Sequence, residues 1–412
     1  MRQTLKIRDA FTKNVFIVFA GTSVVNLINL VYQLLIAHSL SASMFAAFNS
    51  LLSLYMIFSS PLGILQLVMT KYTSEFFAHR QIGKVRALFS AFAKRALILS
   101  MVTLGIFLAA SPRILVSLKI PSAASGPIFA LLLASSWLAP LLTGTIQGIE
   151  RFKCYSSVSV LGGLLKIALS FLFIRLGYSI AGALGALFAA NLAVMIIFYW
   201  SLRDVLHAPY QKEIIPYKEM AAFAVPVAVS YFCFMVLVSF DMVLVKYFFS
   251  AHESGLYSIS QMLGKIFLFL PGAVSMVLFP RTSGLNAQNQ DTLATLKKSL
   301  FFVLCLCLSA VVFYNLFPDF VLKILTGKVY PESVLLGRLF SISMSFFALT
   351  YVLLSYLLSI RKAAFVPYLA AIALLQSAAI FLWHRNLLQV QLIICGCAAV
   401  LFVVHLWFAF RK

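Results

Sequence analysis

Apolar residues run along this chain in blocks of about 20, separated by short polar stretches, from residue 14 to residue 410. A block of that length predicts a helix that crosses a bilayer, because about 20 residues rising 1.5 Å each match the hydrocarbon thickness. Twelve such helices are predicted, near 14–37, 44–69, 87–110, 124–147, 155–176, 179–202, 219–246, 256–279, 299–317, 334–360, 363–383 and 387–410. No ten-residue segments of alternating polarity occur, which excludes an outer-membrane barrel. The longest connections, 203–218 and 280–298, are too short to fold as domains. The first apolar run is too long for a signal-peptide core and has no small-x-small cleavage site after it, so it is expected to stay as a helix.

The pattern repeats. Shifted by 209 residues, "SASMFAAFNSLLSLYMIFSSPLGILQLVMTKYTS" (41–74) aligns without gaps on "SAHESGLYSISQMLGKIFLFLPGAVSMVLFPRTS" (250–283), with nine of 34 positions identical. Chance gives roughly a third of that. Span 2 is thereby equated with span 8, and span 7 begins a second half. Six spans is an even number, so both halves enter the membrane in the same sense. The expectation is an all-α polytopic protein of two parallel-repeat six-helix bundles, 1–203 and 219–412, joined by a cytoplasmic linker, 204–218, around a central cavity.

Within the spans, polar residues share helix faces. Span 1 carries Ser23, Asn26, Asn29 and Gln33 at helical spacing. Span 2 carries Asn49, Ser53, Ser60 and Gly63, and span 5 carries Ser159, Gly163, Lys166 and Ser170. Span 8 has Ser258, Gln261, Lys265, Gly272 and Ser275, and span 10 has Arg338, Ser341, Ser345 and Ser355. Small and hydroxyl residues alone would indicate helix packing. The amides and cations on the same faces point instead to a hydrated cavity. Lys166 and Lys265 sit about midway through their spans, where an ionised group is costly and should face protein or water for a purpose. Asp241 lies in the outer third of span 7. Lys246 follows five residues later, turned away by roughly 140°, so Asp241 must find another partner or cavity water.

Composition agrees with this reading. The chain is 62% hydrophobic and 10% charged, against about a quarter charged in soluble domains. With cations toward the ends of spans counted with the adjoining loop, 22 of the 32 Lys and Arg belong to the N-terminal segment, the even-numbered loops and the C-terminus and 8 to the odd-numbered loops, while 2, Lys166 and Lys265, lie deep inside spans. That bias predicts cytoplasmic termini. The net charge of +21 reflects it, together with contact with anionic headgroups. No aromatic–basic module exists to bind nucleic acid. Six cysteines, mostly deep in apolar runs, read as packing residues. His384 and His405 are isolated, and no catalytic or phosphate-binding motif has a credible setting. No metal, cofactor or catalytic residue is expected.

"FDMVLVKYFFSAHESGLYSISQMLGKIFLFLPGAVSMVLFPR" (240–281) resembles the start of the second half of polysaccharide biosynthesis proteins in the multidrug/oligosaccharidyl-lipid/polysaccharide exporter superfamily. The matching positions are Asp241, Lys246, Gly255, Leu256, Tyr257, Gly264, Lys265, Pro271, Pro280 and Arg281. "GTIQGIERF" (144–152) resembles the family's connection after span 4, and "GYSIAGALGALFAA" (177–190) its approach to span 6. The resemblance covers essentially the whole chain. It implies an oligosaccharide flippase of the Wzx type in a bacterial inner membrane, moving a lipid-linked glycan of the undecaprenyl-pyrophosphate type. Lys166, Lys265 and Arg338 would neutralise the pyrophosphate. Asn26, Asn29, Gln33 and Gln261 would bond sugar hydroxyls, and Asp241 would answer a coupling ion or form a structural ion pair. Expected partners are that substrate, membrane lipids and glycan polymerase machinery, with the chain itself monomeric. The alternative is a cation-coupled multidrug exporter of the same superfamily. Span 1 has no acid, which weakens that alternative. A membrane glycosyltransferase would need larger, acid-bearing loops.

Overall fold

The computed structural model describes residues 2–211, 217–288, 290–328 and 330–411. Every regular element among them is helical. This follows from the solvent: hydrocarbon offers backbone groups no hydrogen bonds, so each spanning segment must satisfy its own. In chain order the helices are α1 (Arg2–Ser39), α2 (Ala42–Ser59), α3 (Gly63–Ala78), α4 (Ile82–Ser117), α5 (Ser125–Ser135), α6 (Ala139–Gly148), α7 (Phe152–Arg175) and α8 (Ser179–Ser201). They continue as α9 (Arg203–Leu206), α10 (Tyr217–Phe248), α11 (Ala251–Ala287), α12 (Leu293–Leu316), α13 (Pro318–Thr326), α14 (Pro331–Ser359), α15 (Val366–Leu382) and α16 (Leu387–Phe410).

Each of the twelve expected spans falls on one of these helices or on two consecutive pieces. Among the described residues, ten helical segments are long and apolar enough to cross a membrane, and Val366–Leu382 is a shorter apolar helix. The chain is a multi-pass membrane protein. Two spans are broken in ways the hydropathy pattern does not reveal. Span 2 changes from α2 to α3 through a single 3₁₀ turn, Ser60–Leu62. Pro61 removes a helical N–H there. Span 4 breaks between Ser135 and Ala139, and α6 restarts with Pro140 in its first turn, where the missing N–H costs nothing.

Packing groups the chain into two compact units, Met1–Ser39 with Phe58–Ala228, and Leu40–Ile57 with Val229–Lys412. The halves expected from sequence are contiguous; this partition instead places α2 in the second unit. In the first unit α7 packs on α1 and α8, α3 on α6, and α4 on α5. A core of Val85, Leu142, Ile146, Ile149, Val158, Phe198, Leu202 and Val205 closes its basic end. Arg151 joins that end by pairing with Asp204 and donating to the Ser201 carbonyl. In the second unit α14 packs on α11, α12 and α16. Buried amides tie its helices: Gln376 Nε2 donates to the Leu237 carbonyl at 2.7 Å, and Gln391 Nε2 to Ser343 Oγ at 2.9 Å.

The repeat has a physical counterpart in this unit. Asn49 on α2 and Ser258 on α11 are 209 residues apart, the shift that aligns the repeat. Their side chains bond to each other at 2.9 Å. A residue that meets its own repeat mate lies on the pseudo-twofold axis relating the two helices.

Candidate functional site

Two polar clusters surround the mid-span lysines, one in each unit. In the first unit, Lys166 Nζ donates to Asn29 Oδ1 on α1 at 2.5 Å and lies 4.4 Å from the centre of the Tyr32 ring. Tyr32 is anchored in turn, donating its hydroxyl to the Ala183 carbonyl on α8 at 3.3 Å. Gly163 permits this approach of α7 to α1, since a Cβ there would stand 2.8 Å from Ile28 Cγ2. An amide oxygen and a ring face stabilise an ammonium, but both are neutral. Lys166 remains half-buried. Asn26 and Gln33, three and four residues from Asn29 and so on its face of α1, are also half-buried.

In the second unit the arrangement is of another kind. Asp241 on α10 is 1% exposed. Tyr257 donates to its Oδ2 at 2.6 Å, and Gln261 Nε2 reaches Oδ1 and Oδ2 at 3.0 and 2.9 Å. The charge of Lys265, one turn beyond Gln261 on α11, acts on the same carboxylate. Lys265 Nζ also reaches Ser53 Oγ on α2 at 3.5 Å. The carboxylate is held by two residues of one helix, Tyr257 and Gln261, and Lys265 is the next position on that face, each four apart. Both partners lie on α11, the helix that follows α10 after the chain reverses. Gln261 is itself 1% exposed and directs its amide nitrogen to Asp241. Arg338, two turns into α14, is exposed. Gly272 and Ser275, expected on the same face of span 8, lie outside the residues whose side chains are described, as do Pro271 and Pro280. Among the described residues no group of three His, Cys, Asp or Glu side chains could hold a metal ion.

Sequence pattern alone missed Tyr32 and Tyr257, because a tyrosine in an apolar run counts as apolar. Tyr257 could have been found from its spacing of four to Gln261. A third polar group, Gln66, Thr70, Gln147 and Tyr155, was also missed as a group. Gln66 Nε2 donates to Gln147 Oε1 at 3.1 Å, and Thr70 Oγ1 approaches the same oxygen at 3.3 Å.

The family profile for polysaccharide biosynthesis proteins matches residues 11–286. Among solved structures, an inward-facing multidrug resistance MATE family transporter of the MOP superfamily superposes with a TM-score of 0.76 at 15% identity, over 93% of this chain and 94% of that one. The lipid II flippase MurJ, in an inward closed conformation, gives 0.69 at 14% identity, over 96% and 87%. A MOP superfamily transporter from Pyrococcus furiosus gives 0.63 at 15% identity, over 96% and 93%. At these identities the likeness establishes the two-bundle fold of that superfamily. No curated protein matches the sequence.

Proposed function

Since the chain belongs to the polysaccharide biosynthesis protein family, we propose that it carries a lipid-linked oligosaccharide or polysaccharide precursor across the bacterial inner membrane by alternating access. The observation that carries this reading is Lys166. A charge held at mid-span costs about 3 kcal/mol even by the gentler insertion scales. The described neighbours of Lys166 supply an amide and a ring and no counter-charge. A site so built favours an anion, and a diphosphate between lipid tail and sugar is an anion at membrane depth. Asn29 bonds to it, and Asn26 and Gln33, three and four residues from Asn29 along α1, would add the donors and acceptors that polar headgroups need. Lys265 is better suited to hold Asp241 than substrate, because the two charges already offset each other. Arg338, exposed toward one end of its span, is a candidate for attracting anionic headgroups rather than for holding one at depth. With both termini cytoplasmic, substrate would load from the side that carries most of the lysines and arginines. The lipid tail would stay in the bilayer throughout.

Deletion of the gene tests the reading. Loss of surface polysaccharide, restored by the wild-type chain and by Lys166→Arg but not by Lys166→Ala, is the expected result. Unchanged polysaccharide with altered drug susceptibility would replace it with multidrug export.

A further inference from the structure

The amide cluster on α3, α6 and α7 has no part in the anion site, yet it lies on the same helix face. Tyr155 and Lys166 are eleven residues apart on α7, about three full turns, so they diverge by only about 20° and are separated by about 16 Å along the axis. Ser159 and Gly163 lie between them on that face. The far end of this line is built with care. Gly144 and Gly148 on α6 let α3 approach so closely that a Cβ at either would stand 2.6 Å from the Gln66 carbonyl oxygen or 2.5 Å from Thr73 Cβ. That approach brings the Gln66 and Gln147 amides together, with Thr70 donating also to the Gly144 carbonyl at 3.2 Å. The Tyr155 hydroxyl lies beside both amides, and its ring stacks on Phe198 at 6.4 Å with 9° between planes.

An amide offers an acceptor oxygen and two N–H donors. The Gln66–Gln147 bond uses one donor of the first and the oxygen of the second. Gln66 Oε1 and the Gln147 N–H groups take no part in that bond and stand beside a phenol. All four side chains of the cluster are half-buried rather than sealed in the core, and each has a polar edge. Hydrocarbon does not accept such an edge; a hydrated ligand with alternating hydroxyl donors and acceptors does.

We propose that Gln66, Gln147 and Tyr155 form a sugar-recognising subsite, which receives the glycan of a substrate whose diphosphate is held at Lys166. The proposal rests on the flippase reading. One face of α7 then measures the substrate: charge at its middle, sugar hydroxyls at its basic end.

The test uses the full-length protein in lipid nanodiscs and two probes, a polyprenyl diphosphate bearing a disaccharide and the same lipid diphosphate without sugar. Gln147→Ala, Gln66→Ala and Tyr155→Phe are titrated with each, and thermal unfolding is recorded alongside; Tyr155→Phe keeps the ring and its packing. The expected result is about tenfold weaker binding of the glycosylated lipid, the scale of an unpaired buried polar group, with the sugar-free lipid unchanged. Lys166→Ala should weaken both probes alike. Equal losses for both probes in the amide variants, or no loss in any of the three, would overturn the subsite while leaving the anion site standing. A wild-type protein that binds neither probe would overturn the flippase reading, and the subsite with it.

Discussion

Lys166 and Lys265 sit at comparable depths, but among the described residues a carboxylate acts on Lys265 alone. That difference decides what removing each should do. Asp241→Asn leaves the half-buried Lys265 ammonium without the carboxylate charge that acts on it, and stranding a charge at this depth costs about 3 kcal/mol. The variant should therefore unfold at a clearly lower temperature in detergent. Adding Lys265→Met should recover most of the loss; simple additivity of the two changes would show that the residues are not coupled. Lys166→Met, by contrast, removes a charge without stranding another. It should leave thermal stability the same or higher while transport fails. The sequence made the need for a partner at Asp241 plain, since the five-residue spacing to Lys246 turns the two apart. It did not identify Tyr257 and Gln261, because they follow only after the chain reverses beyond residue 248. The direction of Gln261 was equally illegible: a glutamine on a polar face fits a cavity wall and a carboxylate clamp equally well.

At the scale of helices, α3 and α6 depend on the absence of two side chains. Gly144→Leu would drive a branched chain into the Gln66 backbone, and overpacking of this kind costs about 1–3 kcal/mol. A drop in thermal midpoint is expected, together with loss of sugar discrimination if the amide pair is separated. The Arg151–Asp204 bridge behaves differently. Partial burial alone would raise the Asp204 carboxyl, but hydrogen bonding and charge from Arg151 outweigh it and hold the group below its ordinary value of 3.8. The contribution of the bridge is therefore fully present above that value and is lost only as pH falls through the lower, folded-state one. Both partners are well exposed, so Asp204→Asn should change stability little, and a pH titration between 5 and 8 should show no step. Helix identity was legible from hydropathy throughout, because only helices can satisfy their backbone in lipid. The breaks in spans 2 and 4 were not, although Pro61 and Pro140 mark them: proline is common in membrane helices, and position alone does not say whether it breaks one.

At the scale of the whole molecule, the charge bias makes a prediction of its own. Single cysteines placed in the connections after α1, α4 and α8 of a cysteine-free chain should react with a membrane-impermeant maleimide from outside in the first two cases and be protected in the third. The opposite pattern would reverse the orientation argued from Lys and Arg. The bond between Asn49 and Ser258 bears on how such a chain could arise. Had a protein of half this length paired with a copy of itself, this position would have faced its own twin, Asn against Asn or Ser against Ser. Two identical side chains meeting on a symmetry axis must share roles as donor and acceptor, and any change strikes both at once. Fusing the copies into one gene frees each side to mutate alone. The pair that now meets there, an amide that donates and a hydroxyl that accepts, is a combination no symmetric ancestor could encode, and it fixes which of the two otherwise equivalent helices gives the hydrogen and which receives it.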